Sequence, residues 1–297
     1  MGSIGIHSCN QLQPAGSRRL WDRKWSRGRP RRDIGNGDSF RELGEEYHWN
    51  PRGLSVHTRE STSASSKLTP CLIQALSGIS LLLSGSRNVI IRNLKISTPP
   101  TSSEAITLEN SRSIWIDHCE LGPKSRINVT RGSDYVSITN NLFHDHSEAT
   151  PAVTVGHSDG NSAQDKGKLH ITFGRNYFKN VKSAVSFRFG TGHLFNSYYD
   201  AVENGINTRM GAEVLVEASV FASGQLQNSK AVFSADSAET GFATIRDVVL
   251  GNSTNTAPAG DMTADSVPYP YDWYIYDTES VKSAVTRYAG QTLEFLD

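Results

Sequence analysis

Asn88-Val-Ile-Ile-Arg-Asn-Leu-Lys-Ile96 and Ser113-Ile-Trp-Ile-Asp-His-Cys-Glu-Leu121 share one grammar: an alternating apolar run, a polar turn residue, then a second apolar pair. It returns in Tyr135-Val-Ser-Ile-Thr-Asn-Asn-Leu-Phe143 and Ile171-Thr-Phe-Gly-Arg-Asn-Tyr-Phe178. Weaker copies follow in His193-Leu-Phe-Asn-Ser-Tyr-Tyr199, Glu213-Val-Leu-Val-Glu-Ala-Ser-Val-Phe221 and Ala243-Thr-Ile-Arg-Asp-Val-Val-Leu250. The turn residues are Asn93, His118, Asn140, Arg175, Asn196, Ala218 and Asp247, separated by 25, 22, 35, 21, 22 and 29 positions. A floor near 22 with occasional overshoot is what a coil of constant circumference produces when loops are inserted between some of its strands. Three strands of about four residues with short turns need that length, at about 3.3 Å per residue.

Helices do not fit between strands so closely spaced, which excludes a βαβ architecture. A flat antiparallel sandwich stays open, although its usual spacing is about 8 to 12 residues. The expectation is an all-β chain, a single-stranded parallel β-helix with its coils over residues 88–250. Ile91, Ile116 and Ile138 should then stack in one inward column. Asn93, Asn140 and Asn196 are expected in an inward polar ladder, a structural device in which buried amides satisfy one another.

Residues 1–84 lack this grammar. From Arg18 to Arg59 the chain is rich in arginine with almost no apolar period, which reads as an irregular, solvated arm, with a nucleic-acid patch as the alternative. Leu72 to Leu83 is expected to cover the exposed end of the coils as a short helix or strand. Thirty Lys plus Arg balance thirty Asp plus Glu, so no long-range field draws the chain to nucleic acid or an anionic membrane, and an acidic polymer would have to be gripped locally. Cys9, Cys71 and Cys119 are too few for a disulfide framework, and none sits in a paired metal spacing. The most apolar stretch, Cys71 to Leu83, is too short to span a bilayer. No secretory signal is readable at the N-terminus.

Several runs in order carry a resemblance: Trp115-Ile-Asp-His-Cys119, Val155-Gly-His-Ser-Asp159, Ser186-Phe-Arg-Phe-Gly-Thr-Gly-His193, Asn196-Ser-Tyr-Tyr199 and Gly205-Ile-Asn-Thr-Arg-Met-Gly-Ala212. Over about residues 85–293 the chain resembles fungal pectate lyases, of the first polysaccharide lyase family. The resemblance implies a right-handed parallel β-helix over 85–297, secretion as a monomer, and β-elimination of polygalacturonate, usually with calcium. It implies no nucleic-acid or membrane partner.

Elimination removes the C5 proton of a uronate ring, a poor acid until a cation neutralises the neighbouring carboxylate, and expels the C4 oxygen; charge must be met where it develops. Where the family places two aspartates, this chain has Ser102 and Glu104. Between Gly122 and Asn128, Lys124 and Asn128 fall near two further acidic ligands. Glu104 and Asn128 are the remaining metal-ligand candidates, a depleted set for a hard cation, so the cofactor expectation is calcium or none. Glu148 stands where the family has a lysine, and the proposed base arginine should fall within Lys182-Ser-Ala-Val185, which holds none. Arg188 matches a substrate-contacting arginine and is the principal catalytic candidate, with Lys182 as the candidate replacement base. Arg209, His157, Asp159 and Arg126 are the substrate-binding candidates. Arg126 or Lys124 is a candidate for the metal's role, as positive side chains serve in the related pectin lyases. Two other functions stand beside the lyase: a module that holds acidic glycan without cutting it, and a truncated, non-functional product.

Overall fold

The computed structural model describes residues 40–42, 45–47, 75–98, 104–222, 224, 226–263, 267 and 273–294. The arginine-rich arm lies outside them, apart from an antiparallel pairing of Phe40–Glu42 with Glu45–Tyr47. From Ala75 onward the ladders are parallel, each strand pairing with one a coil earlier and one a coil later, which is a right-handed parallel β-helix.

Three parallel sheets wrap the core. One stacks Arg87–Arg92, Arg112–Asp117, Asp134–Thr139, His170–Gly174, Thr191–Phe195, Glu213–Glu217 and Phe242–Arg246. A second begins with Ala75–Ser77, Lys95–Ser97, Glu120–Leu121 and Leu142–His146. The third begins with Leu81–Ser84, Glu104–Glu109, Arg126–Thr130 and Val153–Val155. Two long strands, Tyr177–Arg188 and Tyr198–Arg209, turn the corner and belong to both of the latter sheets. The corner is made by left-handed residues, Asn180 at φ 53° and Ala201 at φ 52°.

Ile91, Ile116 and Ile138 are level with one another, and the column runs on through Phe173, Leu194, Val216 and Ile245. A second column stacks Phe143, Phe178, Tyr199 and Phe221, with ring centroids 4.8, 4.9 and 4.2 Å apart. Offset aromatic stacking at such separations adds to the burial of area. Every turn residue picked out by the repeat has positive φ: Asn93, His118, Asn140, Arg175, Asn196, Ala218 and Asp247. The left-handed region at one equivalent position per coil is what bends the chain sharply between sheets.

Two expectations are corrected. The ladders start at Ala75, ahead of the 84/85 boundary, because Leu81–Ser84 pairs in register with Ile106–Glu109; Leu72 to Leu83 supplies, from Ala75 on, first-coil strands. The polar ladder sits one residue further along than expected. In the left-handed turn the asparagine points away from the core and its successor points in. Cys119 N–H donates to Asn141 Oδ1 (2.8 Å), Asn141 N–H to Asn176 Oδ1 (3.0 Å), Asn176 N–H to Ser197 Oγ (3.3 Å) and Ser197 N–H to Ser219 Oγ (3.2 Å). Asn93 and Asn196 instead clamp the C-terminal segment, donating to the carbonyls of Leu293 and Tyr274.

Candidate functional site

Alternation along the third sheet produces apolar-polar-apolar triplets: Ile106-Thr-Leu108, Ile127-Asn-Val129, Val153-Thr-Val155 and Val185-Ser-Phe187. The apolar members enter the core, and the central ones face outward on one level, Thr107, Asn128, Thr154 and Ser186. Asn128, Thr154 and Ser186 of this polar strip floor a groove of about 300 Å³ lined also by Glu104, Arg126, Thr150, Pro151, His157, Arg188 and Arg209. Glu104, Arg126, Asn128, His157, Arg188 and Arg209 therefore line one groove, although they come from widely separated points in the chain. Thr150, Pro151, Thr154 and Ser186 were not singled out in the sequence; the triplet alignment would have found Thr154 and Ser186.

One end of the groove is an arginine pair. Arg188 and Arg209 are level on the two long strands. Arg188 Nε donates to Asp159 Oδ1 at 2.6 Å, and its Nη1 donates to the Gly156 carbonyl (3.0 Å) and Ser186 Oγ (3.2 Å). Gly156 has φ 76°, and a Cβ there would lie 2.7 Å from Arg188 Cβ, so only glycine lets the loop lie against this strand. Arg209 Nη2 approaches the same Asp159 oxygen at 3.8 Å, while its Nε is buried with no hydrogen-bond partner. Asp159 is held below the ordinary carboxylate range: partial burial opposes ionisation, but the Arg188 hydrogen bond and the two guanidinium charges outweigh it. Arg209 is lowered from the usual arginine range by burial and by the Arg188 cation, against the pull of Asp159. Two cations thus share one carboxylate, with donors of Arg188 Nη2 and Arg209 left over.

The other end is different. A register shift pairs Arg126 with Glu104 and then Ile127 with Ile106, skipping Ala105 and setting Glu104 level with Arg126; such bulges re-aim side chains. Glu104 Oε2 accepts from Thr107 Oγ1 (3.1 Å) and Oε1 from Asn128 Nδ2 (3.5 Å). Glu148 lies 3.9 Å from Arg126 Nη1 and 3.4 Å from Lys124 Nζ. Of the expected catalytic, substrate-binding and metal-ligand residues, Asp159 and Lys182 are absent from the lining; Asp159 reaches it through Arg188, whereas Lys182 does not. It lies on the same outward side of its strand as Ser186 and Arg188, exposed, beyond the Arg126 end and outside the lining.

Calcium takes six to eight oxygens, several of them charged. Ser102 lies outside the described residues; among these, the oxygens at its expected place are one carboxylate, Glu104, whose two oxygens already accept hydrogen bonds, and the buried, unpartnered Oδ1 of Asn128. A guanidinium stands level with that carboxylate. This donor set does not fit a resident calcium ion, and no group of three or more His, Cys, Asp or Glu suited to a metal occurs among the described residues.

A parallel β-helix with a lateral groove lined by arginines from successive coils is the class that the fold and the groove define. The pectate lyase family model matches residues 73–293, and this chain belongs to that family. It is 42% identical over 231 residues to pectate lyase A of Aspergillus niger, covering 74% of this chain and 67% of that protein. It is 44% identical over 231 residues to pectate lyase A of Emericella nidulans, covering 74% and 66%. A Bacillus pectate lyase solved in complex with trigalacturonate superposes with a TM-score of 0.59 at 28% identity, covering 72% of this chain and 71% of that one. The matched part of the chain thus spans about two thirds of the length of these fungal relatives.

Proposed function

We propose that this chain binds pectic polyuronate in the arginine-lined groove and acts on it as a polysaccharide lyase, outside the cell, as a single copy and without a resident calcium ion. One observation carries the reading: Arg188 and Arg209 both line the groove and share one carboxylate, that of Asp159, in ion-pair contact. A uronate carboxylate supplies the missing negative charge and the acceptors, and guanidinium–carboxylate pairing is strong and directional. The likeness to a pectate lyase solved with trigalacturonate supports the choice of polymer.

In this reading Arg188 and Arg209 neutralise the carboxylate beside the C5–H bond, stabilising charge that develops as the proton leaves. His157 and Asn128 contact sugar oxygens, the unpartnered Asn128 Oδ1 accepting from a hydroxyl. Asp159 orients the arginine pair. Lys182, six residues before Arg188 on the same strand and so about 20 Å from it at about 3.3 Å per residue, does not reach the C5 proton, which passes to solvent water in the groove.

A second reading, binding without cleavage, is favoured by one observation: Lys182 lies outside the groove lining and no arginine occurs between Lys182 and Val185. One experiment separates the two. Purified protein is mixed with polygalacturonate and with methylated pectin, each with calcium and with a chelator. Absorbance near the ultraviolet edge reports unsaturated ends, and calorimetry reports binding. The lyase gives rising absorbance that the chelator leaves unchanged. Heat without absorbance selects the binding module, and neither signal rejects the groove as a pectic site.

A further inference from the structure

We propose that the groove discriminates the pattern of methyl esterification: it seats a free uronate carboxylate at Arg188 and Arg209 and an esterified, uncharged uronate at the end built from Glu104, Arg126 and Glu148. The inference rests on the pectic reading above and names which pectin the site prefers.

The two ends differ in formal charge. At the first, two guanidinium groups have one carboxylate, Asp159, in ion-pair contact, with Asp236 acting on Arg209 from further off, so the close contacts leave one positive charge and open donors. At the second, Lys124 and Arg126 are matched by Glu148 and Glu104, so the balance is zero. Among the described residues the acidic groups around the groove are Asp159, in ion-pair contact with both arginines, Asp236, which acts on Arg209 from further off, and Glu104 and Glu148 beside Arg126. A free carboxylate at the second end would face Glu104, whose oxygens accept from Thr107 and Asn128 and offer nothing in return. It would also compete with Glu148 for Arg126. Like charges brought together in a partly desolvated groove repel more strongly than in bulk water.

An ester removes both penalties. Its carbonyl oxygen still accepts from Arg126, while its methyl group adds apolar surface where Pro151 lines the groove. The register keeps the ends apart: Arg126 is level with Glu104 on the early strands, whereas Arg188 is level with Arg209, two strands over and about four residues further along, roughly 13 Å at about 3.3 Å per residue. Different sugar units of one polymer therefore meet the two ends. A fully esterified chain would leave the arginine pair without its carboxylate, and a fully de-esterified one would crowd the balanced end.

The test is calorimetric titration of the full chain with length-matched oligogalacturonides that are de-esterified, about half methyl-esterified (roughly the mixture presenting both states) or fully esterified, chelator present. The expected order puts the half-esterified ligand first, by about tenfold over the de-esterified one, the ratio that ~1.4 kcal/mol confers. In Glu148→Gln and Glu104→Gln, each checked for an unchanged melting temperature, that gap should narrow because the de-esterified ligand gains. Equal or tighter binding of the de-esterified ligand to the wild-type chain, or a gap unmoved in Glu148→Gln, overturns the inference while leaving the pectic site standing. No binding by any of the three rejects both.

Discussion

Two arginine–aspartate clusters lie on this β-helix, and they are built to opposite ends. At Asp117 the carboxylate is surrounded: Oδ2 lies 2.8 Å from Arg92 Nε in an ion pair and bonds His118 Nδ1 (2.7 Å), and Oδ1 accepts from Thr139 Oγ1 (2.7 Å) and Asn140 Nδ2 (2.8 Å). Arg92 is only 2% exposed and stacks against Trp115 with 5.5 Å to the ring centroid. At Asp159 one carboxylate serves two guanidinium groups and donors are left over. A charge cluster closed on itself holds the coils together, whereas one short of acceptors at a surface groove is left open.

The largest expected effect tests the closed cluster. Asp117→Asn leaves Arg92 buried without its counter-charge, and a broken buried pair costs about 3–5 kcal/mol. The midpoint of denaturant unfolding should fall accordingly. A stability change under about 1 kcal/mol would remove the distinction between the clusters.

Arg209→Met tests the open cluster from the other side. Its guanidinium makes no hydrogen bond among the described residues, so stability should shift by no more than about 0.5 kcal/mol. Affinity for oligogalacturonide should drop by about 1.5–3 kcal/mol, the usual contribution of a hydrogen bond to a charged group. A fall in melting temperature without loss of affinity would make Arg209 structural. Asp159→Asn should do the reverse of Asp117→Asn: with the competing negative charge gone, polygalacturonate binds a few times tighter, about 0.5–1 kcal/mol in calorimetry.

The smallest effect is in acid. Both aspartates have lowered pKa values: at Asp117 burial raises, but hydrogen bonding and charge from His118, with Arg92 and Asn140, lower it further; at Asp159 the two arginines do the same. A depressed carboxylate contributes stability that is present above its unfolded value near 3.9 and is lost as pH falls through the folded one. Carboxyl-carbon NMR titration should therefore show both still ionised at pH 4. Ordinary titration of Asp159 with a depressed Asp117 would mean that Arg188 and Arg209 do not hold it.

The coil repeat and its left-handed turn position were readable because every coil must spend the same number of residues on one circumference and bend at one point. Ile91, Ile116 and Ile138 stack as that repeat requires. The direction of the side chains at the turn was not readable: Asn140 and Asn141 are adjacent amides, and only the left-handed backbone at Asn140 decides that the second enters the core. Family resemblance picked out the arginines and the depleted acidic positions one by one. It could not say that Glu148 reaches Arg126 or that Lys182 lies outside the groove lining, since those facts depend on loop path and strand face.

Sequence alone thus determined the parallel β-helix and the family, because hydrophobic period and coil length are local properties repeated many times. The tertiary structure decided which charges share a partner and which are left open. That balance is set by side chains from different coils, tens of residues apart in the chain and a strand's width apart in space, and no spacing along the sequence encodes it.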